Sequence, residues 1–219
     1  MSPLLNFLIQ SEKIGLKFPV VYDIGANIGA WSKAVKQTAL PNSQFYLFEA
    51  VKDHESSLAS TGFPYFLNIL SNPEREYVEF YQTNSTGDSY YRESSHHFDN
   101  IDSKKYPCTT LDKIIKERNL PIPNLIKIDT QGSELDILSG AKLCIGLTEL
   151  IYIECPIIRY NEGAPTMSDY IDFFTNKNYL PIDIFEVHRG ENILLQVDIL
   201  FMRKDLKEKY LGKTKFTKI

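Results

Sequence analysis

Carboxylates and glycines end several apolar runs of the sequence, and chemistry would be placed at these positions. The first run ends in Asp23-Ile24-Gly25-Ala26-Asn27-Ile28-Gly29, a second ends at Glu49, and a later one ends at Asp129. A glycine-containing turn between a strand and a helix lets the backbone approach a ligand closely. Glu49 follows Gly29 by 20 residues, the spacing at which a carboxylate accepts hydrogen bonds from ribose hydroxyls in open α/β sheets. The pattern predicts a nucleoside-containing cofactor.

The first turn also indicates the charge of that cofactor. A dinucleotide-binding loop would have Gly-x-Gly-x-x-Gly, whereas Asn27 stands at the central glycine position and the acid Asp23 precedes Gly25. An acid there repels a pyrophosphate and suits a cation, and S-adenosylmethionine carries both an ammonium and a sulfonium. The alternative interpretation is a plain tight turn with an acid on the surface.

The elements that must position these residues alternate between strand and helix. Predicted strands cover residues 20–24, 44–48, 65–70, 77–81, 125–129, 149–154, 179–185 and 194–202, and predicted helices cover 30–39, 52–60, 111–115, 133–141 and 167–177. The last two strands flank Arg189-Gly190-Glu191-Asn192, a hairpin-like turn, so they should be antiparallel. The alternation predicts an α/β fold with a mostly parallel, doubly wound sheet.

Composition and charge limit the classes of protein. The chain has 219 residues, 43% of them hydrophobic and 24% charged, as in ordinary globular proteins. We expect an N-terminal helical segment over residues 1–18, one domain over 19–203 and a basic tail over 204–219. The net charge of −4 offers no general attraction to nucleic acid, and we expect no nucleic-acid partner. No run approaches the roughly 20 apolar residues of a membrane span.

Cysteine usage indicates the compartment. Cys108, Cys144 and Cys155 form no Cys-x-x-Cys pair, so neither a zinc site nor a redox disulfide is predicted. An odd number of widely spaced cysteines fits a reducing compartment, and no basic, apolar leader with a cleavage site precedes the first helix. We expect a cytoplasmic protein.

Five segments together resemble a known family. They are Val21 to Gly29, Phe48-Glu49-Ala50, Thr110-Leu111-Asp112, Ile126-Lys127-Ile128-Asp129-Thr130-Gln131-Gly132-Ser133-Glu134, and Ile153-Glu154. Over roughly residues 19–203 the chain resembles the FkbM family of S-adenosylmethionine-dependent methyltransferases. The resemblance implies a Rossmann-like class I methyltransferase fold with a seven-stranded sheet, and methyl transfer to a hydroxyl oxygen, often of a sugar or a polyketide. Gln131 departs from the family pattern, which usually has glutamate there.

The residues and the resemblance together predict the cofactor site and the catalytic groups. The expected cofactor-binding residues are Asp23, Gly25, Ala26, Asn27, Gly29, Trp31, Glu49, Ala50, Ser71 and Asp129. The expected catalytic residues are Asp129, Glu134 and Glu154, because an alcohol needs a base to remove its proton. Glu134 has the alternative role of an acid favoured by a helix N-terminus, Asp129 that of an acceptor for the turn at Gly132, and Glu154 that of a surface acid.

A divalent metal is a further possibility that the sequence leaves open. Asp129, Glu134 and Glu154 would have to converge around the acceptor hydroxyl. They come from separate elements, and nothing in their spacing requires that convergence.

A long polar segment is predicted to bind the acceptor. Residues 84–100 form an expected lid, with Tyr90, Tyr91, Arg92 and His96, together with Tyr160, as substrate-binding residues. Tyrosine rings and arginine suit a sugar ring, although aromatic residues on loops also pack against a rim and neighbouring histidines on polar loops are often exposed.

Several functions remain open at this point. We expect an O-methyltransferase that acts on a sugar or glycan hydroxyl. Asp129-Thr130-Gln131-Gly132 is not the Asn/Asp-Pro-Pro-aromatic motif typical of amino-directed nucleic-acid methyltransferases. The alternatives are methylation of a polyketide-like small molecule, a noncatalytic domain that binds a glycan or a partner, and a dinucleotide oxidoreductase, which Asn27 disfavours.

Overall fold

Strands and helices alternate through most of the chain. The structure is a computed structural model and describes residues 2–83 and 87–210. The strands are β1 (Val20–Ile24), β2 (Gln44–Glu49), β3 (Tyr65–Leu67), β4 (Ile69–Leu70), β5 (Tyr77–Tyr81), β6 (Ser103–Thr109), β7 (Leu125–Ile128), β8 (Leu150–Pro156), β9 (Tyr179–Gly190) and β10 (Ile193–Arg203). The helices are α1 (Pro3–Lys13), α2 (Ala30–Thr38), α3 (Glu55–Ala59), α4 (Leu111–Arg118), α5 (Glu134–Ser139), α6 (Met167–Asn176) and α7 (Lys204–Tyr210), and two short 3-10 helices cover Lys52–His54 and His96–Phe98.

Seven strands form one sheet in the order β3-β2-β1-β7-β8-β10-β9. The first five of these strands run parallel to one another. Strand β10 is antiparallel to both β8 and β9. The prediction of a mostly parallel sheet with a C-terminal antiparallel hairpin is confirmed. This order brings the carboxyl ends of β1, β2, β7 and β8 to one edge.

The central strands are buried on both faces because helices cover both faces of the sheet. Every residue of β1, β7 and β8 is buried. Alternate residues of these strands enter two hydrophobic clusters: Tyr22 and Ile126 belong to one with Phe174 of α6, and Val21 belongs to the other with Leu8 of α1. The helical segment before β1 is thus packed against the sheet.

Three parts of the fold differ from the prediction. Residues 65–70 do not form one strand, because β3 joins the large sheet and β4 pairs with β6 in a second sheet of order β4-β6-β5. Strand β6 was not predicted, since Ser103-Lys104-Lys105 gives it a charged beginning and its residues are exposed or half-buried. The predicted helix over 52–60 is a 3-10 turn followed by the five-residue α3.

The C-terminal region also differs from a simple tail. Helix α7 covers its first seven residues, Lys204–Tyr210, and Leu206 is buried. The rest of the predicted tail, residues 211–219, lies outside the described residues. Within the described ranges no helix has the length and apolar character needed to cross a membrane.

Candidate active site

A cavity of about 350 Å³ opens at the carboxyl ends of the parallel strands. Small-molecule sites typically have roughly 300 to 1,000 Å³, and open α/β sheets bind their ligands beyond these strand ends. Four acidic side chains line the cavity, those of Glu49, Asp88, Asp129 and Glu154, and its described lining contains no lysine or arginine. The wall therefore favours a cationic or neutral ligand over an anionic one.

Gly25 brings the first turn into contact with the end of β7. Its φ is +74°, and a Cβ at this position would stand 1.8 Å from the backbone oxygen of Asp129. Only glycine fits this close approach. Gly25 N and Ala26 N both donate to Phe48 O, at 2.9 and 3.1 Å. The first turn is thereby fixed between β2 and β7, where it forms one wall of the cavity.

Glu49, at the end of β2, is held by three backbone donors. Its Oε2 accepts from Asn27 N at 2.6 Å, and its Oε1 accepts from Ala50 N and Val51 N at 2.8 and 2.9 Å. Asn27 has a φ of +51°, a conformation that asparagine tolerates. A carboxylate offers about four acceptor positions, so about one remains for a ligand hydroxyl. For Glu49 to accept both ribose hydroxyls, as predicted, the Asn27 N–H must turn away from Glu49 Oε2 and free a second acceptor position.

Asp23 does not line the cavity, contrary to the prediction that its charge faces a cationic ligand. Its side chain is fully buried, accepts from Ser32 Oγ at 2.6 Å, and lies 3.5 Å from Lys127 Nζ. The same Nζ lies 3.4 Å from Asp129 Oδ2 and donates to Gly25 O at 3.1 Å. Burial alone would lower the pKa of Lys127, but Asp129 and Asp23 raise it above its usual value. Lys127 therefore stays charged, neutralises Asp23 and positions Asp129.

Glu154, on β8, belongs to a closed ring of side-chain hydrogen bonds. Gln196 Nε2 donates to Glu154 Oε2 at 2.5 Å, and the Tyr160 hydroxyl lies 2.5 Å from Gln196 Oε1 and 3.1 Å from Glu154 Oε1. A phenol has one proton to donate. Tyr160 therefore shares its proton between Gln196 Oε1 and Glu154 Oε1, and both oxygens of Glu154 accept hydrogen bonds.

The environment of Glu154 favours its protonated form. The side chain is 6% exposed, and burial, with further contributions from Asp129, Glu134 and Asp198, raises its pKa to about 9. Like charges and low dielectric both disfavour the carboxylate form. At neutral pH this environment therefore favours the uncharged form of Glu154, whereas the sequence allowed it to be a base.

Gln131 lies between Asp129 and Glu154. Its Nε2 is 3.3 Å from Asp129 Oδ1 and 3.4 and 3.5 Å from the two oxygens of Glu154. Its backbone oxygen accepts from Ser89 Oγ and Asn161 Nδ2, both at 2.9 Å. A glutamate at this position, as in the family pattern, would place a third carboxylate beside Asp129 and Glu154. The Gln131 amide instead donates hydrogen bonds to both acids.

Glu134 is fully buried and does not line the cavity. Its Oε1 accepts from Thr130 N at 2.8 Å and Gly132 N at 3.2 Å, and its Oε2 accepts from the Tyr170 hydroxyl at 2.6 Å. Burial raises the pKa of Glu134, and these donors limit the increase. Glu134, rather than Asp129, therefore satisfies the turn amides. This structural position is contrary to the prediction of a catalytic role.

Tyr90 is the residue of the long loop whose ring lines the cavity. Its hydroxyl accepts from Ser71 Oγ at 3.3 Å and donates to Asp136 Oδ2 at 3.2 Å. The Tyr91 hydroxyl donates to the same oxygen at 2.8 Å, and Arg75 pairs with it at 3.1 Å. Asp136 thus fixes both tyrosines, and the polar end of Tyr91 is directed to this network rather than to the cavity.

Three other predicted substrate-binding residues, Arg92, His96 and Tyr160, also lie outside the cavity lining, and acceptor binding by them stays a prediction. Arg92 donates to the backbone oxygen of Phe98 at 3.3 Å. The His96 side chain is fully exposed and 3.3 Å from Asp99. The Tyr160 hydroxyl is connected to the cavity by its hydrogen bonds to Glu154 and Gln196, which line it.

The described part of the predicted lid, residues 87–100, is tied to its surroundings. Ser89 exchanges two backbone hydrogen bonds with β5, and Ser94 N donates to Tyr160 O at 2.7 Å. Residues 84–86 of the predicted lid lie outside the described residues. These attachments disfavour movement of residues 87–94 as part of a lid.

Half of the predicted cofactor-binding residues line the cavity and half lie behind its wall. The lining residues are Gly25, Asn27, Glu49, Ala50 and Asp129, and the others are Asp23, Ala26, Gly29, Trp31 and Ser71. Ala26, Gly29 and Ser71 are buried, and Trp31 packs against the cluster that contains Leu8.

Sequence reasoning missed two residues that shape the cavity. Gln196 reaches it because β10 is antiparallel to β8, with Gln196 opposite Pro156, a register that no local pattern shows. Lys127 did carry a signal, since a lysine inside the apolar run Ile126-Lys127-Ile128 needs a buried partner.

Asp129, Glu134 and Glu154, which would have to converge to hold a metal, do not form a metal site among the described residues. Both oxygens of Glu134 are occupied by donors, and the Gln131 amide stands between Asp129 and Glu154. Among the described residues, the metal-compatible group of three side chains is Glu186, His188 and Asp198, outside the cavity lining.

The residues present do fit S-adenosylmethionine. Glu49 places an acceptor at the end of β2, Gly25 and Asn27 form the adjoining turn, and the lining without lysine or arginine suits a ligand that carries a sulfonium and an ammonium.

Comparisons with known proteins identify the family and the fold. The sequence matches the family model described as Methyltransferase FkbM domain over residues 23–181. Comparison with curated proteins found no match. Magnesium protoporphyrin IX methyltransferase from Synechocystis PCC 6803, solved with bound S-adenosylmethionine, is 7% identical with a TM-score of 0.52, over 91% of this chain and 76% of that chain. Methyltransferase FkbM from Methylobacillus flagellatus KT is 16% identical with a TM-score of 0.51, over 84% of this chain and 43% of that chain.

The structural likenesses show the fold, and the family model shows the family. A putative tRNA (m1A22) methyltransferase from Streptococcus pneumoniae has the same fold at 9% identity and a TM-score of 0.50, over 93% of this chain and 70% of that chain, so the fold occurs with different acceptors. The family model covers most of the chain. The chain therefore belongs to the FkbM family and is an S-adenosylmethionine-dependent methyltransferase.

Proposed function

We propose that this chain transfers a methyl group to a hydroxyl oxygen of a sugar or glycan, with Asp129 as the general base. The observation that carries the proposal is the pair of unlike acids in the cavity. Asp129 is 41% exposed in its side chain and pairs with the Lys127 ammonium, whereas Glu154 is buried and holds a proton. Acids in such different environments differ in their ability to accept a proton, which leaves Asp129 as the base.

The residues of the cavity divide the work of the reaction. Glu49, Gly25 and Asn27 hold the cofactor, which supplies an already activated methyl group when bound. Positioning donor and acceptor then provides much of the acceleration. Asp129 accepts the proton of the attacking hydroxyl and releases it to solvent, a step typically worth 10²- to 10⁴-fold. Glu154 keeps its proton.

The polar groups beside Asp129 support a polyol acceptor. The amides of Gln131 and Gln196 and the acid of Glu154 line the cavity, with the Tyr90 ring on another side. Such groups match the donors and acceptors of neighbouring hydroxyls, and a flat ring suits the apolar face of a sugar. The described lining offers no lysine or arginine to a phosphate. The three unpaired cysteines support a reducing compartment, so we place the activity in the cytoplasm.

The proposal is tested with Asp129→Asn on a panel of mono- and oligosaccharides. Turnover should fall roughly 10²-fold or more because the base is lost, while calorimetric affinity for S-adenosylhomocysteine stays within a few-fold. Asp99→Asn is the matched control, since Asp99 is exposed beside His96, and it should keep full turnover. Full turnover in Asp129→Asn would show that another group removes the proton.

A further inference from the structure

A second group of chemically active side chains lies on the C-terminal hairpin, outside the cavity. Glu186 and His188 are on β9 and Asp198 is on β10, and one ligand atom from each lies within 4.8 Å of the other two. His188 Nε2 is 3.5 Å from Glu186 Oε2 and 3.7 Å from Asp198 Oδ1. Two carboxylates and an imidazole are a common ligand set for divalent transition metals.

The distances fit shared coordination better than direct ion pairs. An N–H donor and a carboxylate oxygen in a charged hydrogen bond are about 2.7 to 2.9 Å apart, which is shorter than either contact of His188. Ligands placed about 2.0 to 2.2 Å from a tetrahedral zinc ion are about 3.3 to 3.6 Å apart. The imidazole therefore stands from both carboxylates at nearly the separation of two zinc ligands.

Asp198 supplies a second, independent observation. Its Oδ1, which faces His188, is buried and has no hydrogen-bond partner in the described part of the chain. Leaving a buried acceptor unsatisfied costs free energy. Its Oδ2 accepts from the Tyr152 hydroxyl at 2.7 Å, so the carboxylate is oriented from outside the group, as metal-binding carboxylates commonly are.

The pairing of the strands adds to this argument. Glu186 and Asp198 are directly opposite each other on β9 and β10. Like charges at directly opposite positions destabilise an antiparallel pair. A cation between them removes that repulsion and joins the two strands at the edge of the sheet.

We propose that Glu186, His188 and Asp198 bind one divalent transition-metal ion, of the class of Zn²⁺, with solvent completing the coordination. The side chains of Glu186 and His188 are 51% and 45% exposed, so an ion reaches them without opening the fold. Ca²⁺ prefers six to eight oxygen ligands, which a site of two carboxylates and one imidazole does not supply.

The test is calorimetric titration of the metal-stripped full chain with Zn²⁺ in a non-coordinating buffer. One equivalent should bind. His188→Ala and Glu186→Gln should each weaken binding at least about tenfold, and Tyr152→Phe should weaken it about tenfold through the orientation of Asp198. His96→Ala is the matched control, because the described residues place one carboxylate, that of Asp99, beside this exposed histidine, and the substitution should leave the affinity unchanged.

Two further readouts make the result decisive. Co²⁺ should give the visible absorption of a tetrahedral or five-coordinate site, and this absorption should disappear in His188→Ala. Ca²⁺ at the same concentrations should show no saturable binding. Failure of the chain to bind one Zn²⁺, or equal affinity in the wild type and His188→Ala, would overturn the proposal. None of these measurements depends on methyl transfer, so their failure would leave the proposed function untouched.

Discussion

Replacing Glu154 by glutamine should make the stability of the protein less dependent on pH. Burial raises the pKa of Glu154 from 4.5 to about 9. Between these values the folded chain holds a proton that the unfolded chain lacks, so stability is lost as pH rises. The loss is about 1.4 kcal/mol per pH unit, or about 3 kcal/mol between pH 6 and 8. Glutamine does not titrate, and its amide can donate to Tyr160 while its oxygen accepts from Gln196.

The assay is urea unfolding of both proteins at pH 6, 7 and 8 and constant ionic strength. The free energy of unfolding of Glu154→Gln should increase relative to the wild type by about 1.4 kcal/mol for each pH unit. The free energy of unfolding of Glu74→Gln, a substitution at an exposed position, should change with pH as that of the wild type does. Parallel curves for Glu154→Gln and the wild type would refute the raised pKa of Glu154 and the proton that it holds at neutral pH.

Three other substitutions test the remaining parts of the site. Glu49→Ala should weaken S-adenosylhomocysteine binding at least about tenfold by calorimetry, since it removes a ligand acceptor and the anchor of three backbone N–H groups, whereas exposed Glu55→Ala should not. Gly25→Ala should abolish cofactor binding, because its Cβ would meet the backbone oxygen of Asp129; unchanged calorimetric affinity would contradict the close packing of the turn. Glu134→Ala should lower the free energy of unfolding by about 3 kcal/mol or more, since three donors lose their acceptor. Turnover per folded molecule of Glu134→Ala should stay near that of the wild type. A loss of about 10²-fold would instead indicate that Glu134 is catalytic.

The sequence predicted the cofactor edge well because that edge is built from local patterns. Strands β1, β2 and β7 are apolar runs with a glycine or an acid at or just after their carboxyl ends, and β8 has Glu154 two residues before its end. Parallel order follows from the alternation with helices. The position of Glu49 at the end of β2 could be predicted from this local pattern alone. Strand β6 was not predictable in this way, since its exposed lysines hide the apolar alternation.

The acceptor side was predicted less well because it depends on contacts between distant segments. The sequence places Glu134 at the start of α5, but its orientation comes from Tyr170, 36 residues later on α6. Gln196 enters through the register of a reversed strand. The tyrosines of the long loop are directed by Asp136. None of these contacts leaves a periodic pattern in the sequence.

Transfer of a labelled methyl group tests the central claim most directly. The protein would be incubated with S-adenosylmethionine carrying a carbon-13 methyl group and with mono- and oligosaccharide acceptors, and the products examined by mass spectrometry and carbon-13 NMR. We predict that the label appears as a methyl ether on a sugar oxygen, and that Asp129→Asn reduces its formation roughly 10²-fold or more. A label found on nitrogen or carbon, or a cofactor that binds and never gives up its methyl group to any hydroxyl, would contradict the account.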